Sequence, residues 1–339
     1  MQAQDRHSIT VLGGGSWGTA LAVLLASKGH RVAMWELYPE RAQALETDRE
    51  NKAMLPGIRI PAGVLVTSDM AEAFAASDHT LMVVPSHGVR ETARRAAKYH
   101  TDGRLVTVAT KGIEEGTLKR MSEVTEEALG VDRTRIGVLV GPSHAEEVSR
   151  GVPTTVVASS TDQSTAETIQ EIFMTPTFRV YTNTDVVGVE IGVSLKNVVA
   201  IAAGICDGLG FGDNTKGALL TRGLAEITRL GVKMGARQET FSGLAGIGDL
   251  ITTCISRHSR NRYVGDEIAK GKTLEEVLRG MVMVAEGVRT TRSAVRLADE
   301  HGVEMPIACE VHRILFEAKP AGQAIKDLML RSRKPEIWW

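Results

Sequence analysis

The sequence predicts an α/β domain built on a doubly wound, mainly parallel sheet, followed by an all-α domain. Two observations lead there. Up to about Val187, short apolar runs bounded by Gly, Pro, Ser or Asp alternate with longer Ala-, Glu- and Arg-rich stretches of helical period. That alternation is the pattern of βαβ units. Beyond Val187, Ala/Leu/Val/Ile patterns at helical spacing dominate and strand-like runs vanish. The 339 residues suit two domains at roughly 150 residues each, here placed at 1–189 and 190–339.

Each element follows from its local chemistry. Ile9–Leu12 is a compact apolar run stopped by Gly13-Gly14-Gly15, and Thr19–Lys28 then carries a helical pattern ended by Gly29-His30. Arg31–Trp35 is the second strand. Further strands are expected at Thr80–Val84, Leu105–Ala109, Ile136–Val140 and Thr154–Ala158. In the second domain the spacing predicts helices over Val193–Gly208, Leu219–Met234, Leu274–Arg279 and Arg289–Glu300.

Composition excludes several functions. Forty Lys+Arg against 41 Asp+Glu leave a net charge of -1, so there is no cationic excess to neutralise a nucleic-acid backbone. At 43% hydrophobic and 24% charged, the chain has an ordinary globular composition, and 4% aromatics argue against broad stacking platforms. Met1–Thr10 is polar and charged, unlike a secretory leader, and Val198–Cys206 falls short of the ~20 apolar residues that span a bilayer. Cys206, Cys254 and Cys309 are scattered, and His87, His144 and His258 lack ligand spacing. A cytoplasmic protein with free thiols, no metal and no integral membrane segment is expected. The biased residue is glycine, with 34 copies or about a tenth of the chain against a usual ~7%.

The strongest motif is Gly13-Gly14-Gly15-Ser16-Trp17-Gly18, a G-x-G-x-x-G that follows a strand and opens a helix. Gly13 permits the tight turn, Gly15 lets the backbone approach a pyrophosphate, and Gly18 permits close strand–helix packing, which makes this a Rossmann signature. The helix N-terminus adds partial positive charge. Glu36, after the second strand, is placed to accept hydrogen bonds from an adenosine ribose and to repel a 2′-phosphate. A plain glycine-rich turn with a loop glutamate, or a methyltransferase, could share these features.

Four polar segments resist a packing explanation. Lys111 in Thr110-Lys111-Gly112 and the run Gly141-Pro142-Ser143-His144-Ala145 follow strands, at the sheet edge where doubly wound folds bind ligands. Ser194-Leu195-Lys196-Asn197 stands at the start of an apolar helix, where Lys196 is surrounded by apolar residues. Desolvation and a neighbouring cation such as Lys111 would lower its pKa from ~10.4 and suit it to proton transfer. A helix-end lysine reaching water is the plainer alternative. Asp249, after Gly246-Ile247-Gly248, is placed either to orient that ammonium or to cap a helix. Ser256-Arg257-His258-Ser259-Arg260-Asn261 concentrates guanidinium, hydroxyl and amide donors suited to phosphate, or forms a solvated basic loop.

In combination, GGGSWGTALA, ATKGIE, VGPSHAEEV, VSLKNVVAIAAGICDGL, GLAGIGDLITTCISRHSRN and VAEGVRTT make the chain resemble the bacterial NAD(P)-dependent glycerol-3-phosphate dehydrogenases from Ile9 to about Phe316. The resemblance implies reversible hydride transfer between NAD(P)H and dihydroxyacetone phosphate, giving sn-glycerol 3-phosphate for phospholipid synthesis. It also implies an N-terminal Rossmann domain, a helical substrate domain and a homodimer. Carried over by motif, Lys196 is the proton donor and acceptor, and Lys111 lies beside cofactor and substrate. Gly141, Ser143, Asp249, Ser259, Arg260 and Asn261 contact substrate, while Ser16, Trp17, Ala145, Glu286 and Arg260 reach the cofactor. One departure is Trp35-Glu36-Leu37-Tyr38, where many relatives carry Arg or His suited to a 2′-phosphate. With Glu36 present and no cation at Leu37, NAD(H) is expected over NADP(H). A hydroxy-acid dehydrogenase of the same plan and a non-catalytic dinucleotide sensor are the alternatives.

Overall fold

A computed structural model describes residues 6–101 and 103–336. The chain divides into two compact units, Met1–Lys111 with Arg120–Val186, and Gly112–Lys119 with Val187–Trp339.

The first unit begins with β1 (Ser8–Leu12), α1 (Ser16–Ser27), β2 (Arg31–Trp35) and α2 (Pro39–Asp48). A small hairpin, β3 (Glu50–Asn51) and β4 (Leu55–Arg59), leads to β5 (Leu65–Thr67), α3 (Met70–Phe74) and β6 (His79–Met82). Then follow α4 (Val89–Ala96), β7 (Leu105–Val108), α5 (Met121–Leu129), β8 (Ile136–Val140), α6 (Ala145–Val148), β9 (Thr154–Ser160), α7 (Gln163–Phe173) and β10 (Phe178–Asn183).

Eight strands form one sheet in the order β10-β9-β8-β7-β6-β1-β2-β5, parallel except where β8 meets β9. Central strands such as β8 are buried throughout, so they read as unbroken apolar runs. Besides the β3–β4 hairpin, the sequence hid two strands, and these lie at the edges of the large sheet. β5 has only three residues, and β10 alternates buried Phe178 and Val180 with exposed Arg179 and Tyr181. The strand order reverses at β1, whose neighbours are β2 and β6, and a ligand crevice opens beyond the carboxyl ends of strands at such a switch point. Gly13 follows β1 at that end, while Lys111 and Gly141 follow β7 and β8.

The second unit is helical, with α8 (Val186–Gly208) and α9 (Asp213–Lys233) the longest elements. Next come α10 (Asp249–Ile255), α11 (Arg260–Ala269), α12 (Leu274–Arg279), α13 (Glu286–His301), α14 (Pro306–Phe316) and α15 (Ala321–Met329). Local rules are visible at the ends. Thr273 and Glu276 form a reciprocal capping box on α12, and Gly302 in the left-handed region (φ 62°) closes α13.

Helix α8 starts two turns before the Val193 expected from sequence. Gly188 and Gly192 weaken helix propensity there, and burial of nearly every residue from Gly188 to Cys206 overrides them. By length and apolarity α8 could cross a bilayer, but 89% of its apolar window is buried in the protein, which makes it a core helix. Its close packing on α11 depends on two glycines. A Cβ on Gly204 would lie 1.9 Å from the Arg262 carbonyl oxygen, and one on Gly265 would lie 2.0 Å from that of Ile201.

Residues Gly112–Lys119 also belong to the helical unit. Ile113 and Leu118 are buried in its hydrophobic core. The Gly112 amide donates to Ser194 Oγ (3.0 Å), Ser293 Oγ donates to the Ile113 carbonyl (3.4 Å), and Arg296 Nη1 donates to the Glu115 carbonyl (2.7 Å).

Candidate active site

The glycine turn has the geometry the motif demands. Gly13 takes φ 125°, outside the range of L side chains, and its amide donates to the Trp35 carbonyl at 3.0 Å. A Cβ on Gly18 would sit 1.9 Å from the Gly13 carbonyl oxygen, so only glycine permits this contact between turn and helix. Gly15 caps α1 with open space where its Cβ would be.

The turn fits a dinucleotide on two counts. The N-terminus of α1 has no side-chain cap and no acidic residue in its first turn, leaving amides and partial positive charge for a pyrophosphate. Ser16 opens that turn, and beside it Trp17 has its indole Nε1 buried without a hydrogen-bond partner among the described residues. Glu36 is 5% exposed and folds against the turn, its Oε2 2.6 Å from where a Gly14 Cβ would stand. Its Oε1 accepts the Tyr38 amide at 3.3 Å.

A second cluster of the same unit lies at the ends of β7 and β8. Lys111 Nζ donates to the Gly141 carbonyl at 2.8 Å, and Ser143 Oγ donates to the same oxygen at 3.0 Å. Gly141 has φ 143°, and Ala145 begins α6 with its side chain buried. Thus Lys111, Gly141 and Ser143, expected at one sheet edge because each segment follows a strand, are brought together.

The helical unit builds a buried ion pair. Lys196, 4% exposed, lies about three turns into α8 rather than at the helix start the sequence suggested. Its Nζ donates to Asp249 Oδ1 at 2.8 Å and to the hydroxyl of Thr253. Asp249 is the first residue of α10, after a π-helical turn over Leu244–Gly248 in which Gly246 adopts φ −100°, ψ −105°. Capping its own helix is therefore not its role; Gly248 occupies the cap and the carboxylate turns to the ammonium. Thr253 escaped the sequence reading, although one helical turn after Asp249 it must share that face. Beside it, burial pushes the Cys254 thiol up to about 12, which keeps it protonated and out of nucleophilic chemistry.

The phosphate-type donors are ordered by the same unit. Asn261 Nδ2 donates to Asn197 Oδ1 (2.9 Å), while Asn261 Oδ1 accepts the Gly287 amide (2.8 Å), a buried relay that gives Asn197, named in its polar segment but without a role of its own, a partner. Ser259 caps α11 by accepting the Arg262 amide at 3.2 Å. Arg260 is exposed at the first position of that helix and donates Nη1 to the Val284 carbonyl at 3.0 Å. Glu286 is the first residue of α13. Among the described residues no group of three or more His, Cys, Asp or Glu is placed to hold a metal.

A dinucleotide turn on a switched parallel sheet, with a helical unit burying a lysine against a carboxylate, defines the class: a nicotinamide-dependent dehydrogenase. Family models described as NAD-dependent glycerol-3-phosphate dehydrogenase N-terminus and C-terminus match residues 8–166 and 185–326. The chain belongs to that family. It is 56% identical over 330 residues to glycerol-3-phosphate dehydrogenase, NAD(P)+, of Prosthecochloris aestuarii, covering 97% of this chain and 99% of that one. The Moorella thermoacetica protein of the same name is 53% identical over 332 residues, covering 98% of each. The crystal structure of glycerol-3-phosphate dehydrogenase from Coxiella burnetii superposes with a TM-score of 0.92 at 37% identity, covering 96% of this chain and 99% of that one.

Proposed function

We propose that this protein reversibly reduces dihydroxyacetone phosphate to sn-glycerol 3-phosphate with NAD(P)H, supplying the glycerol backbone for phospholipid synthesis, as a homodimer in the cytoplasm. The observation that carries the chemistry is Lys196, buried and held by Asp249 and Thr253. When bound, the nicotinamide supplies the hydride that C2 of the ketone accepts.

The chain's residues do the rest. As an ammonium, Lys196 donates a hydrogen bond to the C2 oxygen, stabilises the charge that develops there and delivers the proton; in the reverse direction it takes it back. Asp249 and Thr253 fix Nζ, so little reorganisation is needed when the oxygen becomes an alkoxide. Ser259, Arg260 and Asn261, at the start of α11, bind the phosphate, and this remote binding energy aligns the reacting carbon. Lys111, Gly141 and Ser143 are further substrate contacts. Gly13, Gly15, Gly18, Ser16 and Trp17 hold the pyrophosphate end, with Ala145, Glu286 and Arg260 as further cofactor contacts.

Glu36 favours NAD(H), because its buried carboxylate beside the turn suits a ribose 2′-hydroxyl and opposes a 2′-phosphate. A higher kcat/KM with NADPH than with NADH would reject this preference. Replacing Lys196 by Met is expected to lower kcat by a factor of about 10³ while leaving NADH affinity close to the parent's. An unchanged kcat refutes the assignment. Removing one member of a buried pair also costs about 3–5 kcal/mol of stability, so a circular dichroism spectrum accompanies the kinetics. Absence of NADH oxidation by the parent with dihydroxyacetone phosphate would instead favour another substrate or a sensor.

A further inference from the structure

Glu36 alone would make the adenosine site hostile to NADPH, and Leu37 offers no cation. The structure nevertheless places one close by. Arg41, in the first turn of α2, has Nη1 3.8 Å from Glu36 Oε1, too far for a hydrogen bond and near enough for charge to be felt. Its Nη2 contacts Met54 Sδ at 3.4 Å, and its guanidinium lies 5.5 Å from the Tyr38 ring centroid. A thioether is a weak acceptor, so the guanidinium is held in place while most of its donors stay uncommitted. The side chain is 40% exposed, against 6% for that of Glu36.

Neighbouring cations are committed elsewhere. Arg49 pairs with Glu46 and donates to the carbonyls of Pro61 and Val64, and Lys52 pairs with Asp48. We infer that Arg41 is a cofactor-specificity residue: its guanidinium receives the 2′-phosphate of NADP(H) beside Glu36, so that one pocket takes both dinucleotides. Arginine presents two parallel donors to phosphate oxygens. With the ribose hydroxyl of NAD(H), Glu36 accepts and Arg41 stays over Tyr38. With NADP(H), Arg41 turns from Tyr38 to set its charge between phosphate and carboxylate. The inference rests on the proposed dinucleotide site.

The test measures dissociation constants of NADH and NADPH for the full-length parent, Arg41→Gln and Arg41→Lys. The nicotinamide-free probes 5′-AMP and 2′,5′-ADP are titrated alongside. For Arg41→Gln the NADPH-to-NADH affinity ratio should fall by roughly tenfold to a hundredfold, the range for a hydrogen bond to a charged group. The 2′,5′-ADP-to-AMP ratio should fall with it, and Arg41→Lys should restore part of both. A ratio that stays constant, whether both affinities hold or both fall together, overturns the inference, as does a parent that binds no NADPH. A parent that binds the probes yet fails to reduce dihydroxyacetone phosphate defeats the proposed reaction without touching the role of Arg41.

Discussion

Glu226 offers a quantitative test of the helical unit's packing. It lies inside α9, 3% exposed, and accepts the Ile307 amide at 2.9 Å and the Ala308 amide at 3.3 Å, so that one helix caps the start of α14 in another. Burial nevertheless dominates, pushing its carboxyl from an ordinary 4.5 up to about 7, against the pull of those amides and of Arg229 and Arg331. Below pH 4.5 the group is protonated whether the chain is folded or not, and its contribution to stability is complete. Between 4.5 and 7 the unfolded chain ionises while the folded one resists, so stability falls by 1.36 kcal/mol per pH unit, reaching a loss of about 3 kcal/mol above pH 7. Glu226→Gln cannot ionise. Its unfolding free energy minus the parent's should therefore rise by about 3 kcal/mol from pH 4.5 to 7.5. Urea unfolding across that range measures it, and the difference cancels every other titrating group, including buried His79, whose imidazole burial holds down at about 3. Parallel profiles for the two proteins would show that Glu226 ionises normally and refute the reasoning.

Two further outcomes probe the site. Gly204→Ala puts a methyl into the Arg262 carbonyl; it should cost at least about 1–3 kcal/mol of stability and raise KM for dihydroxyacetone phosphate, because α11 carries Arg260 and Asn261. An unchanged melting temperature and KM would show that the two helices can part at no cost. Asn51 donates Nδ2 to the Gly14 carbonyl (2.9 Å) and to Thr19 Oγ1 (3.1 Å) and accepts the Met54 amide (3.2 Å). Asn51→Ala leaves these buried groups unsatisfied, at about 1–3 kcal/mol, and should raise KM for NADH and NADPH by the same factor, unlike Arg41→Gln; unequal factors would contradict its role in holding the turn.

What was legible in the sequence had a local cause. The central strands are short apolar runs because both faces of a parallel sheet are buried, and the glycine turn announces itself because sterics at Gly13 and Gly18 leave no other residue type. Lys196 and Asp249 stood out as charges in apolar surroundings. Their pairing, and the place of Lys196 in the middle of α8, depend on a kink at Gly246 and on a helix that runs through Gly188 and Gly192, which propensity disfavours. Thr253 and Asn197 look like ordinary helix residues until a partner from another element reaches them. Arg41 was equally silent, since it is the turn through Tyr38, whose amide Glu36 accepts, that sets the first turn of α2 beside the carboxylate.

The segment Gly112–Lys119 has a consequence for how the chain is made. Its partners Ser194 and Ser293 follow by 82 and 180 residues. On a ribosome adding about 5–20 residues per second, Ile113 and Leu118 wait from about 4 s for Ser194 to roughly 9–36 s for Ser293 before their core exists. The first unit therefore leaves the exit tunnel carrying an inserted segment of the second, whose two apolar side chains stay unsheltered until the later helices arrive.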